Sequence, residues 1–312
     1  MKMDSVRVSA PATIGNIGPG FDVLGLAVKG IGDVIEARRT ASGVTLSAVV
    51  CAHPGIELSS DPEKNTAGIA ARETLDTLGE KGGVDLKLYK GLPLGSGLGS
   101  SAASAAAAAF AVNALYGNPL TKEELILPAT RAEAAVSGGF FADNTAPALL
   151  GGATLTRSCL PLDVTRIGSI HNLIIILITP DLVILTREAR KILPATVPLA
   201  DFVCNMANTS LITVAFAKDD YSLFARSLND VVIEPVRAKL IPGYDEVKAN
   251  ALKAGADGVA ISGSGPTVFA ITNQRARARF IEDAMIRTFS AYGVKASAVI
   301  TEVDPEGATI LA

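Results

Sequence analysis

The 312-residue chain has no tryptophan, two histidines, three cysteines and only 5% aromatic residues. His53 and His171 both fall outside every motif described below, so no histidine base is predicted. Cys51, Cys159 and Cys204 are odd in number and show no CxxC spacing; they read as buried free thiols of a cytoplasmic protein. There is no basic excess, with a net charge of −3 and a pI near 5.5, which argues against a nucleic-acid surface. Long apolar runs are missing too. The most apolar stretch, LIIILI at residues 173–178, is cut short by Thr179, Pro180 and Asp181, far below the roughly 20 residues of a membrane span. It reads as a buried strand. The N-terminal MKMDSVRVSAP has no long apolar core, so no signal peptide is expected. What is present is 49% apolar and 19% charged residues at a mean hydropathy of +0.37, enough for a large core. The length predicts two domains, placed at 1–165 and 166–312.

The chain is organised around residues 91–117, GLPLGSGLGSSAASAAAAAFAVNALYG. Residues 84–89 before it alternate like a half-buried strand, and residues 102–116 form a helix that stops at Gly117. Between them Gly95, Gly97 and Gly99 alternate with small residues, so the backbone can take positive φ and approach a ligand closely. Ser100 and Ser101 stand at the N-cap position. A helix N-terminus reached through such a loop offers free amides and a partial positive charge, which suits a polyphosphate; the two hydroxyls can donate to phosphate or help hold a metal ion. No Gly-Lys-Ser/Thr closes the loop, so it is not a Walker A sequence, and serine at 100 breaks the dinucleotide fingerprint.

Elsewhere, residues 6–9 read as a strand entering an irregular loop over 11–22. There Asn16 and Asp22 are either substrate-binding groups or turn formers holding their own backbone. Strands at 34–37 and 44–50 give an antiparallel start with the first, and a helix over 66–78 ends at Gly79 with Asn65 before it as a candidate N-cap. Thr121 and Glu124 make a capping-box pattern opening a helix that kinks at Pro128 and runs to Val136. Glu133, among alanines in that helix, is a solvated charge or a ligand in a tight site. Residues 157–170 read as an irregular interdomain crossing. Helices follow at 201–217 and 221–228, then strands at 256–262 and 267–271 joined by Gly263-Ser264-Gly265-Pro266, a basic-rich helix at 274–292, and a closing strand at 294–303.

Motif by motif, the chain resembles a known family. The run PLGSGLGSSAA, made of Pro93, Leu94, Gly95, Ser96, Gly97, Leu98, Gly99, Ser100, Ser101, Ala102 and Ala103, resembles the second signature of the GHMP kinase superfamily. PATIGNIGPGFDVLGLAV resembles the first signature of homoserine kinases, PATSANLGPGFDVLG; FADNTAPALLGG resembles their HADNVAPALLGG, with Phe141 in place of histidine. TREARKILP and EPVRAKLIPG match two further family segments, and AISGSGPTVFA resembles the third GHMP signature. The resemblance implies an α+β GHMP kinase fold. Its N-terminal domain would be like ribosomal protein S5 domain 2 and its C-terminal domain ferredoxin-like, with the active site between them.

It further implies transfer of the ATP γ-phosphoryl group to the side-chain hydroxyl of L-homoserine, in threonine biosynthesis, by a cytoplasmic homodimer. Residues 93–103 would hold ATP, with Asn65 near the base, and Ser101 with Glu133 would hold Mg²⁺. Asn16, Asp22, Asn144, Arg190 and Arg237 would bind the amino acid: Asp22 its ammonium, the two arginines its carboxylate, with Asn16, Asn144 and Arg190 nearest the chemistry. The family is thought to work without a general base; Asp143 is the candidate if one is needed. Two rivals stand beside this reading. One is another small-molecule GHMP kinase, with Phe141 admitting shikimate or a mevalonate-type alcohol. The other is a non-catalytic RNA-binding module of the S5 type, which the acidic balance and scarce aromatics count against.

Overall fold

A computed structural model describes residues 3–53 and 58–311. The first part of the chain runs β1 (Ser5–Gly15), β2 (Leu24–Thr40), β3 (Gly43–Cys51), α1 (Thr66–Leu78), β4 (Gly83–Lys90), α2 (Ser100–Leu115), α3 (Ile126–Ser137), α4 (Thr145–Leu150), β5 (Ala153–Cys159) and β6 (Leu162–Gly168). The second part runs β7 (Ile174–Pro180), α5 (Thr186–Lys191), α6 (Leu199–Lys218), α7 (Tyr221–Ser227), α8 (Glu234–Arg237), α9 (Tyr244–Lys253), β8 (Gly258–Ile261), β9 (Val268–Thr272), α10 (Arg275–Ala291), β10 (Ala296–Glu302) and β11 (Thr309–Ile310).

Strands β11-β1-β2-β4-β3 form one sheet in that order, extended by β5 on β2 and β6 on β5. The second sheet has the order β10-β7-β9-β8, antiparallel throughout. That order, with helices between its first and second and its third and fourth strands, is the expected ferredoxin-like arrangement.

Helix α2 lies at the centre of the first part. Its residues 105–109 are alanines with no exposed surface, in one core with α1, the sheet and α3. Alanine on every side lets neighbours approach from all directions, which a larger side chain would prevent. Among the described residues, α6 is long and apolar enough by composition to cross a membrane. One face of it is nevertheless pinned to the protein: Ile212, Ala215 and Phe216 are buried, and Thr209 Oγ1 donates to the Pro19 carbonyl at 3.0 Å.

Several expectations need correction. β1 continues to Gly15 through a register shift at Pro11/Ala12, where proline's missing N–H is tolerated, so the loop is confined to 16–22. β2 is far longer than 34–37. β3 pairs in parallel with β4 and does not touch β1. Residues 157–170 belong mainly to the β5–β6 hairpin, whose half-exposed edge strand β6 carries little apolar alternation. A boundary at 165 falls inside β6, and β11 returns from the C-terminal end to pair with β1. Pro128 lies in the first turn of α3, where its missing N–H is not needed, so no kink arises. The Thr121–Glu124 capping box forms, but it closes a turn ahead of that helix. The three thiols are free and only partly buried.

Candidate active site

The glycine-rich turn between β4 and α2 is held from several sides. Gly95, Gly97 and Gly99 have φ of 59°, 79° and 62°. A Cβ on Gly97 would stand 2.3 Å from the Ser262 carbonyl oxygen, and one on Gly99 would stand 1.9 Å from Thr13 Oγ1. Both positive φ and close approach require glycine there. Ile184 N–H donates to the Gly95 carbonyl (3.2 Å), Thr267 N–H to Ser96 (3.0 Å), Ser262 Oγ to Gly97 (2.6 Å) and Thr13 N–H to Leu98 (3.1 Å). Peptide planes fixed this way set the loop against the start of α2, whose first amides have no intrahelical acceptor. The residues on either side of the GSGP turn, Ser262 and Thr267, are thus bonded directly to the glycine-rich turn. Gly99 is the N-cap, and Ser100 and Ser101 are the first two helical residues, one step beyond the expected cap.

Beneath the loop lies a buried network that the sequence reading missed. Lys90 Nζ bonds Asp33 Oδ2, the Ser100 carbonyl and Ser104 Oγ, while Asp33 Oδ1 accepts from the amides of Gly91 and Leu92. Burial lowers the Lys90 pKa, against the opposing pull of Asp33. The signal was an acid inside an apolar strand and a lysine at the last strand position before the glycines.

The loop, the 16–22 turn and α5 face one cleft. Its walls include Asn16, Asp22, Leu94, Gly95, Ser96, Gly97, Gly99, Ser100, Ser101, Glu133, Phe141, Asp143, Asn144, Arg190 and Arg237. Pro93, Leu98, Ala102 and Ala103 do not face it: Leu98, Ala102 and Ala103 are buried behind the loop, and the Pro93 carbonyl accepts from Ser96 Oγ. Asn65 caps α1, its Oδ1 accepting from Ala67 N–H and its Nδ2 donating to the Ser59 carbonyl. It also lines a mainly apolar groove beside the loop with Leu58, Leu88, Val136 and Leu185.

On the acid side of the cleft, Ser101 Oγ donates to Glu133 Oε1 at 3.1 Å. Burial, then the Asp143 carboxylate, raises the Glu133 pKa to about 8; burial, then Asp22, raises Asp143 to about 7. Once deprotonated, this buried carboxyl and the serine hydroxyl beside it at the glycine-rich turn offer the hard oxygens that suit a divalent cation.

On the opposite side, Asp22 and Arg190, expected at opposite ends of a bound amino acid, are bonded to each other in a two-pronged pair (3.0 and 2.6 Å). The Arg190 guanidinium lies 4.0 Å from the centre of the Phe141 ring and 5.3 Å from that of Phe21. Arg237 lies 5.1 Å from the same Phe21 ring and donates to the Gly263 carbonyl at 2.8 Å. Asn16 has φ of 71° and ties this side together, donating to Gly263 and accepting from Asp22 N–H. Asn144 Oδ1 accepts from Thr13 Oγ1. Phe21 went unread in the sequence because an aromatic in a turn carries no pattern.

Residues 65–152 match the family model of the GHMP kinases N terminal domain, and 212–291 that of GHMP kinases C terminal. The homoserine kinase of Arabidopsis thaliana is 42% identical over 316 residues, covering 98% of this chain and 85% of its own. The homoserine kinase of Chlorobaculum tepidum is 40% identical, covering 99% of each chain. The chain belongs to the homoserine kinase family. The crystal structure of homoserine kinase from Cytophaga hutchinsonii, 40% identical, superposes on this family member with a TM-score of 0.93, covering 100% of this chain and 98% of that one. A mevalonate kinase from L. major, 17% identical at a TM-score of 0.68 and covering 95% of each chain, shares the fold alone. In this homoserine kinase family member Phe141 forms part of the wall under Arg190.

Proposed function

We propose that this cleft transfers the γ-phosphoryl group of ATP to the side-chain hydroxyl of L-homoserine, giving O-phospho-L-homoserine for threonine synthesis. The observation that carries the reading is the convergence, in one cleft, of a phosphate loop with two arginines and an aspartate able to meet both charges of an amino acid. Loop amides and the α2 terminus grip the phosphates. Arg190 and Arg237 take the carboxylate, Asp22 the ammonium, and Asn16 and Asn144 orient the hydroxyl end. Ser101 and Glu133 would hold Mg²⁺, which when bound neutralises phosphate charge. Because phosphoryl transfer has a loose transition state, positioning and charge neutralisation supply most of the acceleration, and no strong base is required. If a base is needed, Asp143, which lines the cleft with a pKa raised to about 7, is the candidate to receive the hydroxyl proton. A coupled ADP-release assay tests the reading. Homoserine is expected to turn over, and shikimate and mevalonate are not; turnover of either in its place would assign the cleft to another GHMP acceptor.

We also infer a cytoplasmic homodimer. Helix α6 exposes Leu199, Phe202, Val203, Met206, Leu211 and Val214 on one side, a stripe of the kind that dimers bury. Sedimentation is expected to give about twice the 32.0 kDa chain mass, and Met206→Glu to return the protein to the monomer. A monomeric wild-type protein would refute this.

A further inference from the structure

We infer that Asp22 and Arg190 form a charge latch that opens only for a zwitterion, so that the cleft rejects alcohols carrying a carboxylate alone or an ammonium alone. The inference rests on the amino-acid reading of the site given above. It goes beyond that reading in assigning the two residues to each other before either meets a ligand.

The latch is a two-pronged ion pair set in a largely apolar mounting. Arg190 Nη1 and Nη2 donate to the two Asp22 carboxylate oxygens, with the side chains 29% and 18% exposed. Phe141 covers one region of the guanidinium at 4.0 Å, and Phe21 adds a second ring at 5.3 Å. Gly139 keeps space for this stack: a Cβ there would stand 3.1 Å from the Phe141 ring and 3.8 Å from Arg190 Nε. Among the described residues, Arg190 Nε and Arg237 Nε are buried without a hydrogen-bond partner. Among the described residues the Arg237 side chain donates to a backbone carbonyl and pairs with no carboxylate, so it is the cation left to attract an arriving carboxylate.

Charge accounting then decides what can enter. A carboxylate without an ammonium can take Arg190 only by leaving Asp22 uncompensated beside Asp143. An ammonium without a carboxylate can take Asp22 only by leaving Arg190 uncompensated beside Arg237. Separating a partly desolvated pair and compensating one member leaves the other stranded, and the stranded charge carries most of the penalty. A zwitterion compensates both members in one exchange, replacing one pair by two. The ring of Phe141 sharpens the choice, since it offers no hydrogen bond or hydration to a released guanidinium.

The probes are homoserine, 4-hydroxybutyrate, which lacks the ammonium, and 3-aminopropan-1-ol, which lacks the carboxylate. In the wild-type enzyme both truncated alcohols are expected at least about a hundredfold below homoserine in kcat/KM. Lost contacts alone predict that much. The latch further predicts that Asp22→Asn raises kcat/KM for 4-hydroxybutyrate about tenfold above wild type while lowering that for homoserine. If Asp22 merely binds ammonium, the variant leaves 4-hydroxybutyrate unchanged. In the unaltered enzyme, adding methylammonium is expected to raise 4-hydroxybutyrate turnover severalfold by compensating Asp22, with no gain for homoserine. Calorimetry with butyrate supplies a readout free of turnover: its Kd tightens about tenfold in Asp22→Asn. Homoserine turnover with 4-hydroxybutyrate and butyrate indifferent to both the substitution and methylammonium overturns the latch. Tighter butyrate binding in Asp22→Asn without any homoserine turnover keeps the latch and overturns the homoserine reading.

Discussion

Replacing Arg190 by alanine raises the KM for homoserine about a hundredfold and leaves the KM for ATP within about a factor of two. The magnitude is that of a charge-assisted, two-pronged contact with a carboxylate, about 3 kcal/mol. The selectivity follows from geometry. Arg190 is on α5 and meets Asp22 and the two phenylalanine rings, whereas the loop is held by Ser262, Thr267, Ile184 and Thr13. Arg190→Lys rescues little, because an ammonium reproduces neither the fork nor the stacking on Phe141. Initial rates with each substrate varied in turn make the check. Equal losses for homoserine and ATP refute the assignment and move Arg190 to a role in holding the whole cleft.

The sequence displayed the elements whose chemistry is local. Helix α1 ends where Gly79 permits a left-handed cap (φ 64°), and the β8–β9 turn lies where glycine and proline mark it. It concealed those whose form depends on a distant neighbour. β2 looks broken at Gly30 and Gly32, yet Gly32 is there because a Cβ would stand 2.1 Å from the Ala10 carbonyl oxygen on the adjacent strand. β6 is a half-exposed edge strand, with Asp163 and Arg166 where a buried strand would alternate, and β5 beside it is buried only over its first half. In the site, motif order named the polar residues, but separation along the chain hid their pairing. Asp22 and Arg190 are 168 positions apart, and Asp33 and Lys90 are 57. The motif also counted Leu98, Ala102 and Ala103 as site residues because they lie within it. Their burial shows that they shape the loop from behind.

Glu133→Gln is expected to lower kcat by about a hundredfold and shift the Mg²⁺ dependence, since an amide cannot lose a proton to give a cation the anionic oxygen that Glu133 can offer beside Ser101 Oγ. A second readout needs no turnover. The Glu133 carboxyl titrates at about 8 in the folded protein, against an ordinary value of 4.5 when unfolded. Between those two pH values the folded chain holds a proton that the unfolded chain has released, so stability declines as pH rises through the window. The Asp143 carboxyl, raised from 3.8 to about 7, acts in the same direction over its own window. Without metal, the wild type is therefore expected to lose Tm from pH 5 to pH 8. Glu133→Gln removes one of the two titrating groups and is expected to lose less. Adding Mg²⁺ with nucleotide at pH 8 stabilises the wild type more than the variant, because a bound cation replaces the proton on Glu133 and gains nothing from an amide. Thermal melts at the two pH values, with and without Mg²⁺ and nucleotide, carry the test. A variant whose metal titration and pH slope both match the wild type would remove Glu133 from the cation site.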